Sequence, residues 1–152
     1  MVNTNISDRY FRLERAKKII ETIHGCETPE SVPVTGLKIC FGDFRGPEFP
    51  DYDRSAWEPL SSDNDTYGGK NTYFWVCGTL TIPESFAGKA VRLYVSTADY
   101  GWDDSNPNFI VFLDGHITSA FDRNHNELLL TSCAKGGEAY YLACKGFTAM
   151  RD

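Results

Sequence analysis

The clearest pattern in the chain is a two-residue alternation that begins at Thr72. Tyr73, Trp75 and Cys77 fall on one side of an extended segment, and Phe74, Val76 and Gly78 on the other, as successive side chains do along a strand. Thr79, Leu80, Thr81 and Ile82 extend that strand to Pro83. Ala90 to Ser96 predicts the next strand, with Val91, Leu93 and Val95 on one face. Phe109 to Leu113 is apolar throughout and rich in branched and aromatic residues, as a strand favours. Asp114-Gly115 follows it, and this pair tolerates the positive φ values that a two-residue hairpin turn needs. His116 to Phe121 is the returning strand; Leu128 to Thr131 and Glu138 to Cys144 predict two more.

Before Thr72 the pattern changes twice. Ile6 to Gly25 predicts a helix, with Ser7 as N-cap, Asp8 in the first turn and Gly25 just past the end. Tyr10, Leu13, Ala16, Ile20 and Ile23 recur at steps of three and four and make one apolar stripe. Arg12 to Lys18 is then the solvated side of that helix. From Cys26 to Tyr67 the chain is irregular and broken by Pro29, Pro33, Pro47, Pro50 and Pro59. Val32 to Phe41 predicts one strand there. Trp57-Glu-Pro-Leu60 predicts an anchor, a large ring and a leucine set against a core edge. Five or more strands at intervals of about ten residues, separated by polar turns, predict an all-β sandwich. The expectation is a mainly β chain: a jelly-roll, galactose-binding-like β-sandwich over residues 26–152, with an N-terminal helix over residues 1–25.

Composition adds limits rather than chemistry. The chain has 152 residues, 41% hydrophobic and 14% aromatic, enough for one domain with its own core. Its net charge of −6 argues against electrostatic binding of nucleic acid or an anionic membrane. No apolar run approaches the roughly 18 residues of a membrane span. No basic segment followed by an apolar core opens the chain, so no signal peptide is expected. The five cysteines lack any Cys-x-x-Cys spacing, and the three histidines are scattered. Free thiols in a reducing cytoplasm are therefore expected, with no metal site in this chain.

Two groups of polar residues are candidates for binding. Asp122, Arg123 and His125 crowd a five-residue loop between two apolar strands, where loop side chains are held by rigid elements. Tyr100, Trp102, Asp103 and Asp104 lie in the long polar segment before Asn108. Rings there could stack on sugars, with carboxylates taking the hydroxyls. No Gly-x-Ser-x-Gly motif or phosphate loop occurs. No catalytic residue is assigned.

Several stretches together resemble the start of bacterial and vacuolar-type α-mannosidases of glycoside hydrolase family 38. They are Arg12-Leu-Glu-Arg-Ala-Lys-Lys-Ile-Ile-Glu21, Trp57-Glu-Pro-Leu60, Tyr73-Phe-Trp-Val-Cys-Gly-Thr-Leu-Thr-Ile-Pro83 and Phe112-Leu-Asp-Gly115. The most specific is Phe121-Asp-Arg-Asn-His-Asn-Glu-Leu-Leu-Leu130. The resemblance runs through nearly the whole chain in the right order. It implies a non-catalytic N-terminal β-sandwich, excised from a longer retaining, metal-dependent enzyme. The zinc and the aspartate nucleophile would lie in a downstream catalytic domain, since no His-x-Asp motif occurs here. That domain is then the expected partner, with Asp122, Arg123 and His125 facing its active-site rim. A mannose-containing oligosaccharide is the expected ligand of the alternative, an autonomous carbohydrate-binding module using Tyr100, Trp102, Asp103 and Asp104. A homo-oligomeric parent is compatible with either.

Overall fold

The computed structural model describes residues 4–24, 30–61, 69–95, 108–122 and 124–149. Among the described residues one α-helix and eight strands are formed: α1 (Thr4–His24), β1 (Lys38–Phe41), β2 (Glu58–Pro59), β3 (Thr72–Thr81), β4 (Val91–Tyr94), β5 (Asn108–Leu113), β6 (His116–Phe121), β7 (Glu127–Thr131) and β8 (Ala139–Thr148). The chain divides into two compact units, Met1–Pro33 and Val34–Asp152.

The first unit contains α1, which starts at Thr4. Ser7 therefore lies inside the helix rather than capping it, and the expected cap Gly25 falls outside the described residues. Among the described side chains of α1, Tyr10, Phe11, Leu13, Ile19, Ile20 and Ile23 are each exposed by more than half.

The second unit is a β-sandwich of two antiparallel sheets. The larger has six strands in the order β2-β1-β3-β8-β5-β6, and the smaller is β4 with β7. Long strands hold the centre: β3 and β8 pair over their full length, from Thr72 opposite Thr148 to Thr81 opposite Ala139. The expected strand from Val32 is shorter than its pattern suggests. Only Lys38 to Phe41 is extended in the sheet, because Gly36 takes φ +74° and turns the chain in ahead of it. The last strand runs four residues beyond Cys144, since β3 supplies partners as far as Thr148.

The hairpin forms as its sequence requires. Asp114 has φ 51° and Gly115 φ 82°, the positive pair of the turn whose twist suits antiparallel strands. β6 is an edge strand, and its register slips opposite Val111 and Phe112, which leaves Thr118 as an extra residue. Such a bulge perturbs further pairing along an open edge.

Both faces of the large sheet are partly covered. On one face Leu80, Val111, Leu142 and Cys144 pack with Val91 and Leu93 of β4, and with Leu128 and Leu130 of β7. On the other face Trp75, Cys77 and Ala143 lie beneath Trp57, Phe44 and Tyr52, which come from the irregular segment 42–57. Trp57 is thus the anchor its sequence suggests. This double burial explains why Phe74, Trp75 and Cys77 of β3 are all buried although they alternate sides.

Candidate functional site

The polar loop after β6 folds around one carboxylate. Asp122 Oδ1 accepts hydrogen bonds from the backbone N–H of Asn124 (2.7 Å) and of His125 (2.7 Å). His125 Nδ1 lies 3.1 Å from the same oxygen. Asp122 N donates to His125 O at 3.0 Å. These backbone donors, then the imidazole, hold the Asp122 carboxyl below the usual aspartate range. The side chain of His125 is 80% exposed. This geometry is that of a turn closed by an Asx side chain, and it leaves the imidazole at the surface. Arg123, the third residue of this group, lies outside the described residues. So do Tyr100, Trp102, Asp103 and Asp104.

The segment 42–57 is pinned by Arg54. Its Nε donates to Tyr141 Oη at 2.9 Å, and its Nη2 to Phe49 O at 2.6 Å and to Tyr141 Oη at 2.5 Å. Nη1 bonds the carbonyls of Tyr52 and Pro50. Tyr141 Oη donates in turn to Pro47 O at 2.5 Å. The guanidinium also lies over the Tyr141 ring, 4.6 Å from its centroid. Burial, foremost, pushes the Tyr141 phenol above its ordinary range, with nearby Cys77 adding to it. Asp114 adds a clamp from the hairpin, since its Oδ1 accepts from Tyr141 N at 2.8 Å.

Beyond this segment the same sheet face carries partly exposed side chains. Tyr73 on β3 and Phe147 on β8 are cross-strand partners, their ring centroids 4.6 Å apart and their planes inclined by 39°. Tyr73 is 40% exposed and Ile110, on neighbouring β5, is 43% exposed. Lys145, paired with Ile110, stands between the rings and segment 42–57. Its Nζ donates to Asp43 Oδ1 at 2.5 Å. The same ammonium lies 5.4 Å from the Tyr73 centroid and 5.7 Å from that of Trp75. Trp75 itself is fixed by its indole N–H, which donates to Phe44 O of the covering segment at 3.2 Å.

No protein-family model matches the chain, and no curated protein matches it in sequence. Among solved structures, the chain is similar to β-glucuronidase from Ruminococcus gnavus. The apo enzyme aligns with a TM-score of 0.38 and 14% identity over 81% of this chain, and a second structure of the enzyme with 0.36 and 12% over 79%. The complex of that enzyme with D-glucuronic acid aligns as the apo form does, with a TM-score of 0.38 and 14% identity. The chain spans about a quarter of that enzyme's length, 24% in the apo structure.

Among the described residues no three His, Cys, Asp or Glu side chains are close enough to hold a metal, and no helix is long and apolar enough to cross a membrane. Cys40, Cys77, Cys133 and Cys144 are free thiols. Tyr73 was visible in the alternating pattern as a face residue. Asp43, Arg54, Lys145 and Phe147 carry no signal in the sequence, because each acquires meaning only from a partner remote in the chain.

Proposed function

We propose that this chain is a non-catalytic β-sandwich module of a carbohydrate-processing enzyme, the N-terminal domain of a family 38 α-mannosidase, docked through α1 on the catalytic domain of the same polypeptide. The observation that carries docking is the state of α1. Isolated helices are marginal in water, and in proteins most helical stability comes from packing an apolar side. Here Tyr10, Leu13, Ile19, Ile20 and Ile23, which share one side of the 21-residue helix, are each more than half exposed, and each would gain up to roughly 1.5–3 kcal/mol if fully buried. The helix also carries Arg9, Arg12, Arg15, Lys17 and Lys18 against Asp8, Glu14 and Glu21, so the surface that receives it is acidic at its margins. In this reading Asp122, Arg123 and His125 face the catalytic domain at the rim of its active site. The zinc implied by the family resemblance belongs to that domain, and hydrolysis is its work.

The test is association of the purified chain with the separately expressed catalytic domain of its parent. Leu13→Lys combined with Ile20→Lys should weaken that association by about a hundredfold, roughly 2.7 kcal/mol, and leave the sandwich's melting temperature unchanged. Undiminished association of the double variant would overturn the docking.

A further inference from the structure

We propose that the Tyr73–Phe147 ring pair, with the Lys145–Asp43 ion pair beside it, is a binding platform for a neutral pyranose sugar. The ligand class rests on the carbohydrate-module reading above; the place rests on the sheet. Tyr73, Phe147 and Ile110 occupy three adjacent strands, β3, β8 and β5, on one face. Strands spaced about 4.8 Å apart make such a floor roughly 10 Å wide, broad enough for one or two sugar rings. The two rings meet at 4.6 Å and tilt by 39°, while Tyr73 remains 40% exposed. The apolar C–H face of a pyranose can settle on such a surface, as flat rings combine contact area with few rotamers to freeze.

Polar groups border this floor on the side where segment 42–57 begins. Asp43 takes one of the three N–H donors of Lys145, at 2.5 Å, and the Lys145 side chain is 24% exposed while that of Asp43 is 58% exposed. The ammonium is already held over the Tyr73 and Trp75 rings, so little of its freedom remains to be lost on binding. A fixed ammonium beside a carboxylate offers donors and acceptors at the spacing of neighbouring sugar hydroxyls, with charge-assisted bonds to each. The Lys145–Asp43 pair is neutral as a whole, so it supplies no net positive charge to hold a carboxylate, and the chain's net charge of −6 disfavours an acidic sugar; the platform therefore selects neutral hexoses over uronic acids. A single ring on an open face gains little, so affinity is set at about the millimolar level.

The experiment is titration of the full, ¹⁵N-labelled chain with methyl α-mannopyranoside, α-linked mannobiose and glucuronic acid, followed by amide chemical shifts. Expected are saturable shifts at Tyr73, Lys145, Phe147 and Ile110 with the two neutral sugars, and weaker ones with glucuronic acid. Asp43→Ala removes only a rim carboxylate and should cut affinity by about tenfold. Tyr73→Leu keeps apolar bulk without a flat ring and should abolish binding, while Ile117→Ala, elsewhere on the sheet, should leave it unchanged. Absence of shifts at these residues, or full affinity in both Asp43→Ala and Tyr73→Leu, would overturn the platform. Association through α1 is measured separately, so loss of sugar binding with docking intact removes the platform alone, and loss of docking with sugar binding intact removes the docking alone.

Discussion

Tyr141 ties β8 to segment 42–57 through one hydroxyl. It accepts from Arg54 and donates to Pro47 O, so Tyr141→Phe leaves a half-buried guanidinium and a carbonyl short of a partner. That change should destabilise the sandwich by about 1–3 kcal/mol, read as a lower urea midpoint at an unchanged slope; a shift within about 0.5 kcal/mol would refute the role. Gly146 is a second critical position. A Cβ there would land in the Phe74 ring, which is itself held edge-on by Phe109 at 5.8 Å. Gly146→Ala should therefore cost about 1–3 kcal/mol or more through overpacking, checked by the same unfolding curve. The cysteines separate by environment. Burial pushes the Cys144 thiol up to about 12 and raises that of Cys77, whereas Cys133 is exposed. Since the thiolate is the nucleophile, iodoacetamide at neutral pH should label Cys133 and spare Cys77 and Cys144 until denaturant is added. Mass-spectrometric detection of early label on Cys144 would contradict this.

The loop after β6 behaves as an element whose stability depends on one carboxylate. The folded pKa of Asp122 is depressed, so its contribution is present above the ordinary aspartate value of about 3.9 and is lost as pH falls through the lower folded value. Because the Asp122 side chain is nearly half exposed, the effect on global stability is small. The sensitive measurement is an NMR titration of the Asp122 carboxyl, which should have a midpoint below that of a free aspartate. A midpoint at or above the free value would show that the turn is not formed in solution. The hairpin before it is secured twice: by its Asp-Gly dihedrals and by the bond from Tyr141 N to Asp114 Oδ1. Helix α1 contrasts with both, since its three- and four-residue spacing is legible from the sequence alone and the helix forms over Thr4–His24.

At the scale of the molecule, the unit Val34–Asp152 carries both apolar clusters. A chain lacking residues 1–33 should therefore unfold cooperatively with a midpoint within about 0.5 kcal/mol of the full chain, measured by circular dichroism in urea. Loss of the cooperative transition would show that the first unit is needed to fold the second. The alternation from Thr72, the apolar run at Phe109 and the Asp114-Gly115 turn determined β3, β5 and the hairpin, because period and turn chemistry are local properties of the chain. The three- and four-residue stripe determined α1 for the same reason. The β-sandwich class follows from their number and spacing. Local pattern could not decide how segment 42–57 lies, because that segment has no period and is held by its partners. Arg54 meets Tyr141 across 87 positions, and Asp43 meets Lys145 across 102. Period two assigns Tyr73 and Trp75 to one side of β3 but is silent on what covers that side. Tertiary structure alone roofs Trp75 with Phe44 and leaves Tyr73 partly exposed beside Phe147, because which strands become neighbours, and where a loop's cover ends, depends on chain topology rather than on any residue's own preference.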